Sequence, residues 1–115
     1  MTNSLLAVTF DCADAPALAR FWADVLGRQV AEDSTSEHAV LLPGDGDASG
    51  PRITFNQVPE PKTVKNRMHW DVTLADASLD DLVAAGATVV RAQDDEIGWT
   101  VMADPEGNEF CAFAP

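Results

Sequence analysis

A chain of 115 residues is long enough to bury a core and too short for two ordinary domains, so a single layered domain spanning residues 1–115 is expected. With 19 acidic against 7 basic residues, a net charge of −12, its surface repels a phosphate backbone, so nucleic acid is a poor candidate partner and none is expected. The start MTNSLLAVTFDCAD lacks the basic head and apolar run of a signal peptide, and no apolar stretch approaches the roughly 20 residues that span a bilayer. A cytoplasmic protein without membrane contact is the simplest reading.

Leu5 to Cys12 reads as a strand. Asp14-Ala15-Pro16 then opens a helix, with Asp14 as cap and Pro16 in the first turn. The helix runs to about Leu26, its apolar stripe formed by Leu18, Phe21, Trp22, Val25 and Leu26, and Gly27 stops it. Short strands follow near Gln29–Glu32, Ala39–Leu42 and Arg52–Gln57, the last two separated by PGDGDASGP, a loop by composition. The loop 58–67 leads to a second pass through the same pattern. A strand beginning near His69 runs into Ala75-Asp76-Ala77 as the first ran into Ala13-Asp14-Ala15, and a helix from about Leu79 to Ala85 stops at Gly86. Strands near Thr88–Arg91, Trp99–Ala103 and Glu109–Phe113 complete it, the last two joined by a type I turn at Asp104-Pro105-Glu106-Gly107. The fold class is therefore α+β, with two β-α-β-β-β modules at about 5–57 and 68–115 and the helices on one face of mixed sheets.

Strand parity divides the side chains. Val8, Phe10, Cys12, Ile53, Phe55, Trp70, Val72, Leu74, Phe110 and Ala112 fall on an apolar side that the helices should cover. Thr9, Asp11, Thr54, Asn56, His69, Asp71, Thr73, Glu109 and Cys111 fall on the other, which is either plain solvent surface or the floor of a binding cleft. His69 and Asp71, two apart on one strand, project together, so the carboxylate can orient the imidazole and favour its protonated form. That suits a general acid or base, and equally an ordinary half-exposed histidine. Cys111 is either small filler or a nucleophile with His69 as its base. Cys12 and Cys111 lack any C-x-x-C spacing and are expected as reduced thiols. His38 is expected at the surface. Lys62, Lys65 and Arg67 gather three of the seven basic residues, as a solvated loop, a rim for an anion, or a contact for the acidic surface of a second subunit. Trp22 and Trp70 belong to the core, and Trp99 is placed to edge a pocket.

The paired modules, the DPEGN turn before the last strand and the histidine heading a second-module strand resemble the glyoxalase, bleomycin-resistance and dioxygenase superfamily, also called vicinal oxygen chelate proteins. VPEPKTVKNRMHWDV and WTVMADPEGNEFCAF are similar to its glyoxalase-like subfamily. The resemblance covers essentially the whole chain. It implies curled sheets whose polar sides line a cup, with two modules, often from two chains, closing around a ligand. It also implies that metal enzymes of this kind take one ligand from the first and one from the last strand of each module. Those positions are Ala7, Thr54, His69 and Cys111 here, of which only His69 is a standard ligand. Cys111 suits a soft metal, Ala7 has no donor and Thr54 is a poor neutral ligand, so no metal and no cofactor are expected. Asp11, Asp71 or Glu109 substituting from shifted positions is the exception.

The resulting expectation is a metal-free homodimer that binds a small organic molecule, with sequestration of a drug-like or toxic compound as its role. Thr54, Asn56, His69, Trp99 and Cys111 are the ligand-binding candidates, with His69 and Asp71 for any catalysis. The alternative is a lyase, isomerase or dioxygenase of the same superfamily using His69 or a non-standard metal site. A purely structural module is the third reading.

Overall fold

The structure is a computed structural model and describes residues 1–44 and 50–114, so the centre of the loop PGDGDASGP lies outside the described residues. The chain divides into two compact units, Met1–Pro61 and Lys62–Pro115.

In the first unit, β1 (Ala7–Cys12), α1 (Ala15–Leu26), β2 (His38–Leu41) and β3 (Arg52–Gln57) follow in order, and the sheet order is β1-β3-β2. β1 runs parallel to β3 and β2 antiparallel to it. The helix begins where the cap chemistry predicts: Asp14 Oδ1 accepts from the Ala17 amide at 3.0 Å, and Pro16 sits in the first turn. It ends at Gly27, whose φ of 64° lies in the left-handed region that costs a glycine nothing. Leu18, Ala19, Phe21 and Trp22 are buried on its inner stripe, and the helix packs on β2 and β3, where Ala39, Leu41, Ile53 and Phe55 are also buried. Phe10 stacks on Phe55 at 5.5 Å, and Trp22 meets Phe21 edge to face at 5.1 Å.

The expected strand at Gln29–Glu32 shrinks to a single bridge, Val30 to Leu41. Ala31 donates to the Val40 carbonyl and Leu42 to that of Gln29, but Ser34 then donates back to Ala31 and turns the chain away after one rung. Leu5 and Leu6 stay exposed, so β1 starts two residues later than the apolar run suggests.

The second unit contains β4 (Trp70–Thr73), α2 (Leu79–Ala85), β5 (Thr88–Arg91), β6 (Thr100–Ala103) and β7 (Glu109–Phe113), with sheet order β4-β7-β6-β5. The repeat seen in the sequence is met in topology, since here too the first strand runs parallel to the last. A capping box starts α2: Ser78 Oγ accepts from the Asp81 amide, and Asp81 Oδ2 accepts from the Ser78 amide at 2.8 Å. The bonds that the Ser78 amide and then the Ser78 hydroxyl donate to Asp81 Oδ2 hold this carboxyl below its ordinary range. The turn from β6 to β7 forms as expected: Gly107 donates to the Asp104 carbonyl, and the buried Asp104 side chain accepts from the amides of Glu106 and Asn108. Val72, Leu74, Leu82, Met102, Phe110 and Ala112 make the core, while Trp70, expected inside, is half-buried.

Candidate functional site

In the parallel pair β4–β7, Trp70 lies opposite Phe110 and Val72 opposite Ala112, which places the intervening pair, Asp71 and Cys111, opposite one another on the other face. His69 precedes β4 and shares that face, two residues before Asp71. The result is a cluster in which the ligand-capable atoms of His69, Asp71 and Cys111 all lie within 4.8 Å of one another. His69 Nδ1 stands 3.9 Å from Asp71 Oδ1, and the two side chains are 44% and 65% exposed. That separation is too long for a hydrogen bond, and at this exposure the pairing is electrostatically modest.

Cys111 is buried although it belongs to the polar face. Burial pushes its thiol up from the ordinary value of 9.0, and the neighbouring Asp71 carboxylate pushes the same way. The Lys65 ammonium and the Trp99 indole N–H pull it down without cancelling the rise. At neutral pH Cys111 is a protonated thiol, a weaker nucleophile than the same group beside cations alone. Trp99 is half-buried before β6, with its ring 5.6 Å from that of Phe113.

The segment leading into β4 is pinned to the start of β7. Asn66 donates from its amide to Glu109 Oε2 at 3.1 Å and from Nδ2 to Asn108 Oδ1, and its Oδ1 accepts from the Glu109 amide at 3.0 Å. Lys62 completes the anchor with an ion pair to Glu109 at 3.2 Å. Burial raises the Glu109 carboxyl, but the backbone bonds from Asn66 and from its own amide, together with Lys62, outweigh it and hold the group below its ordinary range. Both Glu109 carboxylate oxygens are thus engaged, Oε1 by Lys62 and Oε2 by the Asn66 amide. An open cavity of about 580 Å³ is lined by Val64, Lys65, Asn66, Arg67 and His69. The role of Asn66 was not among the sequence expectations, because only the path of the loop brings it to Glu109.

The remaining candidates lie in the first unit. Thr54 is opposite Thr9 in the β1–β3 register, and their hydroxyls are hydrogen-bonded. Asn56 is opposite His38, and the imidazole Nδ1 is bonded to Asn56 Oδ1. His38 is exposed as expected, yet it has a neighbour that spacing alone did not reveal. The sequence candidates thus divide: His69, Asp71, Trp99 and Cys111 come together in the second unit, while Thr54 and Asn56 belong to the first.

The resemblance implies metal-ligand positions at Ala7 and Thr54 in the first unit and at His69 and Cys111 in the second, and the residues at the first unit's positions do not fit that role. Ala7 offers no ligand atom, and the Thr54 hydroxyl is occupied by Thr9. His69, Asp71 and Cys111 form the group of three metal-capable side chains found among the described residues, and it draws only two members from those four positions.

No helix among the described residues is long and apolar enough to cross a membrane. A search of curated proteins finds no match to the chain. Among solved structures, a glyoxalase/bleomycin resistance protein/dioxygenase family enzyme from Burkholderia phytofirmans PsJN is 25% identical, with 97% of this chain and 98% of that one covered and a TM-score of 0.68. The fosfomycin resistance protein FosX from Mesorhizobium loti is 17% identical, over 98% and 92% of the two chains, at a TM-score of 0.67. The bleomycin-binding protein of Streptomyces verticillus, solved with copper(II)-bleomycin, is 18% identical, over 100% and 99%, at 0.57. The family model of the glyoxalase-like domain matches residues 7–113, nearly the entire chain, and the protein belongs to that family.

Proposed function

We propose that the polar face of the second unit's sheet binds a small organic molecule without a resident metal, and that the protein sequesters a drug-like or toxic compound. The observation that carries this reading is the convergence of an imidazole, a carboxylate and a thiol on one face, with His69 also forming part of a cavity wall. A few convergent polar groups beside an aromatic edge, here Trp99, make the usual form of a small-molecule site. Thr54 and Asn56 are the binding candidates of the first unit. Drug-binding and drug-resistance proteins of the same fold, such as the bleomycin-binding protein and FosX, support the class of role. The test is binding of a library of small organic molecules, followed by melting temperature and by titration. Compounds that bind should lose about tenfold or more in affinity with His69→Ala or Asp71→Asn, at unchanged melting temperature. Binding indifferent to both substitutions contradicts the assignment.

A homodimer in the cytoplasm belongs to the same proposal. β5 lies at the edge of its sheet with every residue exposed, Val89 at 50% and Val90 at 57%, and such edges are normally paired or covered. Light scattering that gives a monomeric mass at micromolar concentration contradicts the dimer.

The distances within the cluster favour a second reading, a lyase, isomerase or dioxygenase that uses His69 or a non-standard metal site. A nitrogen, an oxygen and a sulfur within 4.8 Å equal the three protein ligands of a typical catalytic zinc. Elemental analysis separates the readings, since about one tightly held metal ion per chain supports the enzyme and a metal-free protein that binds its ligand supports sequestration.

A further inference from the structure

The basic residues of the second unit are not used alike. Arg91 is held by Asp94 at 3.0 Å and Glu96 at 2.9 Å, and Lys62 by Glu109 at 3.2 Å. Lys65 and Arg67 have no ion-pair partner among the described residues, although the chain carries 19 acidic groups. In a chain of net charge −12, two neighbouring cations left without carboxylates form a local exception to the field of the whole surface. They also stand on an anchored segment. Asn66, between them, is fastened through its amide and both side-chain polar atoms to Asn108 and Glu109, which limits how far its neighbours can wander.

Their placement relative to the cluster is the second observation. Lys65, Arg67 and His69 line one open cavity of about 580 Å³ together with Val64 and Asn66. The Lys65 charge is also felt at the Cys111 sulfur, so the cationic rim and the His69–Asp71–Cys111 group form one neighbourhood. The acidic groups of that neighbourhood are accounted for separately. The Glu109 charge is taken up by Lys62 and the Asn66 amide, and the Asp71 carboxylate lies toward His69 and Cys111.

We propose that the ligand of this face is an organic anion, whose carboxylate or phosphonate head is held by Lys65 and Arg67 at the cavity while its body reaches the His69–Asp71–Cys111 group. This rests on the ligand-binding reading above and adds the charge of the ligand to it. An ammonium and a guanidinium form charge-assisted hydrogen bonds to such a head, about twice as strong as neutral ones. Asp71, an acceptor when ionised, selects a hydroxyl or N–H donor on the part of the ligand that meets it.

The test uses the full chain and four probes of similar size: benzoate, phenylphosphonate, benzamide and benzylamine, titrated calorimetrically. The two anions should bind about tenfold or more tighter than benzamide, with benzylamine weakest. The preference should shrink between about 0.01 M and 1 M salt, as the screening length falls from roughly 30 Å to 3 Å. Lys65→Gln with Arg67→Gln should abolish it, whereas Arg91→Gln should leave it intact, and unchanged circular dichroism confirms that each variant is folded. Benzoate and phenylphosphonate distinguish the two head groups. If benzamide or benzylamine binds as tightly as the anions, or the double variant keeps the preference, the inference is overturned while the ligand-binding reading stands. If none of the four binds, the inference is also overturned, and a neutral compound that binds in a His69-dependent way leaves the broader reading in place.

Discussion

Asp71 and Cys111 face one another across the parallel pair β4–β7, with the carboxylate and the sulfur within 4.8 Å. This contact bears on what Cys111 can be. Burial is the larger cause that holds the sulfur in its protonated form, and the Asp71 carboxylate adds to it, standing where a cysteine nucleophile would need a positive field. Cys111 should therefore be alkylated by iodoacetamide at pH 8 more slowly than a free thiol. Asp71→Asn removes a charge that raises the thiol, so labelling should become several-fold faster. Peptide mapping separates Cys111 from the buried Cys12. An unchanged rate for Cys111 means that the carboxylate does not govern it.

The two faces of the same strand pair should respond differently to truncation. Phe110 is fully buried, and Phe110→Ala should cost about 3–5 kcal/mol. His69→Ala removes an exposed side chain and should stay within about 0.5 kcal/mol of the parent. Urea denaturation of both variants measures the contrast, and comparable losses would make His69 a structural residue.

The Asn66 anchor predicts a coupled loss. Asn66→Ala deletes two side-chain hydrogen bonds and leaves the Glu109 amide without its acceptor, for about 1–3 kcal/mol of stability. The same variant should also weaken anion binding, because Lys65 and Arg67 then lie on a looser segment. A stability loss with binding untouched would separate the anchor from the site.

Acid should release the anchor as well. The folded state holds the Glu109 carboxyl below its ordinary value of 4.5, so its ionised form is favoured on folding. Its contribution is complete above 4.5 and is lost as pH falls through the lower folded value. Glu109→Gln should reduce stability at neutral pH and flatten the decline below 4.5, which melting curves across the acid range would show. A variant with the parent's acid profile would contradict the role given to this group.

The elements were legible where a local device encodes them. Asp14, Pro16 and Gly27 frame α1, Gly86 closes α2, and Asp104 to Gly107 form their turn, all through short-range chemistry. Strand parity likewise brought His69, Asp71 and Cys111 to one face, because a period of two needs only the correct strand. Features that depend on register or loop path were not legible. His38 meets Asn56 only through the β2–β3 register, and Asn66 meets Glu109 only because the loop returns over β7. The short strand expected at Gln29–Glu32 is cut to one rung by the backward turn at Ser34. Parity did not foresee the burial of Cys111 either, since it assigns a face and not what covers it.

The central claim is that the face of His69, Asp71 and Cys111 holds an organic ligand without a metal ion. Its most direct test titrates a compound selected by binding into protein treated with chelator and verified by elemental analysis, then repeats the titration after stoichiometric zinc is added. The account predicts binding at full strength to the metal-free protein, reduced about tenfold or more by His69→Ala and not improved by zinc. Binding that appears only with zinc, or a tightly held metal ion that resists the chelator at about one per chain, would contradict it.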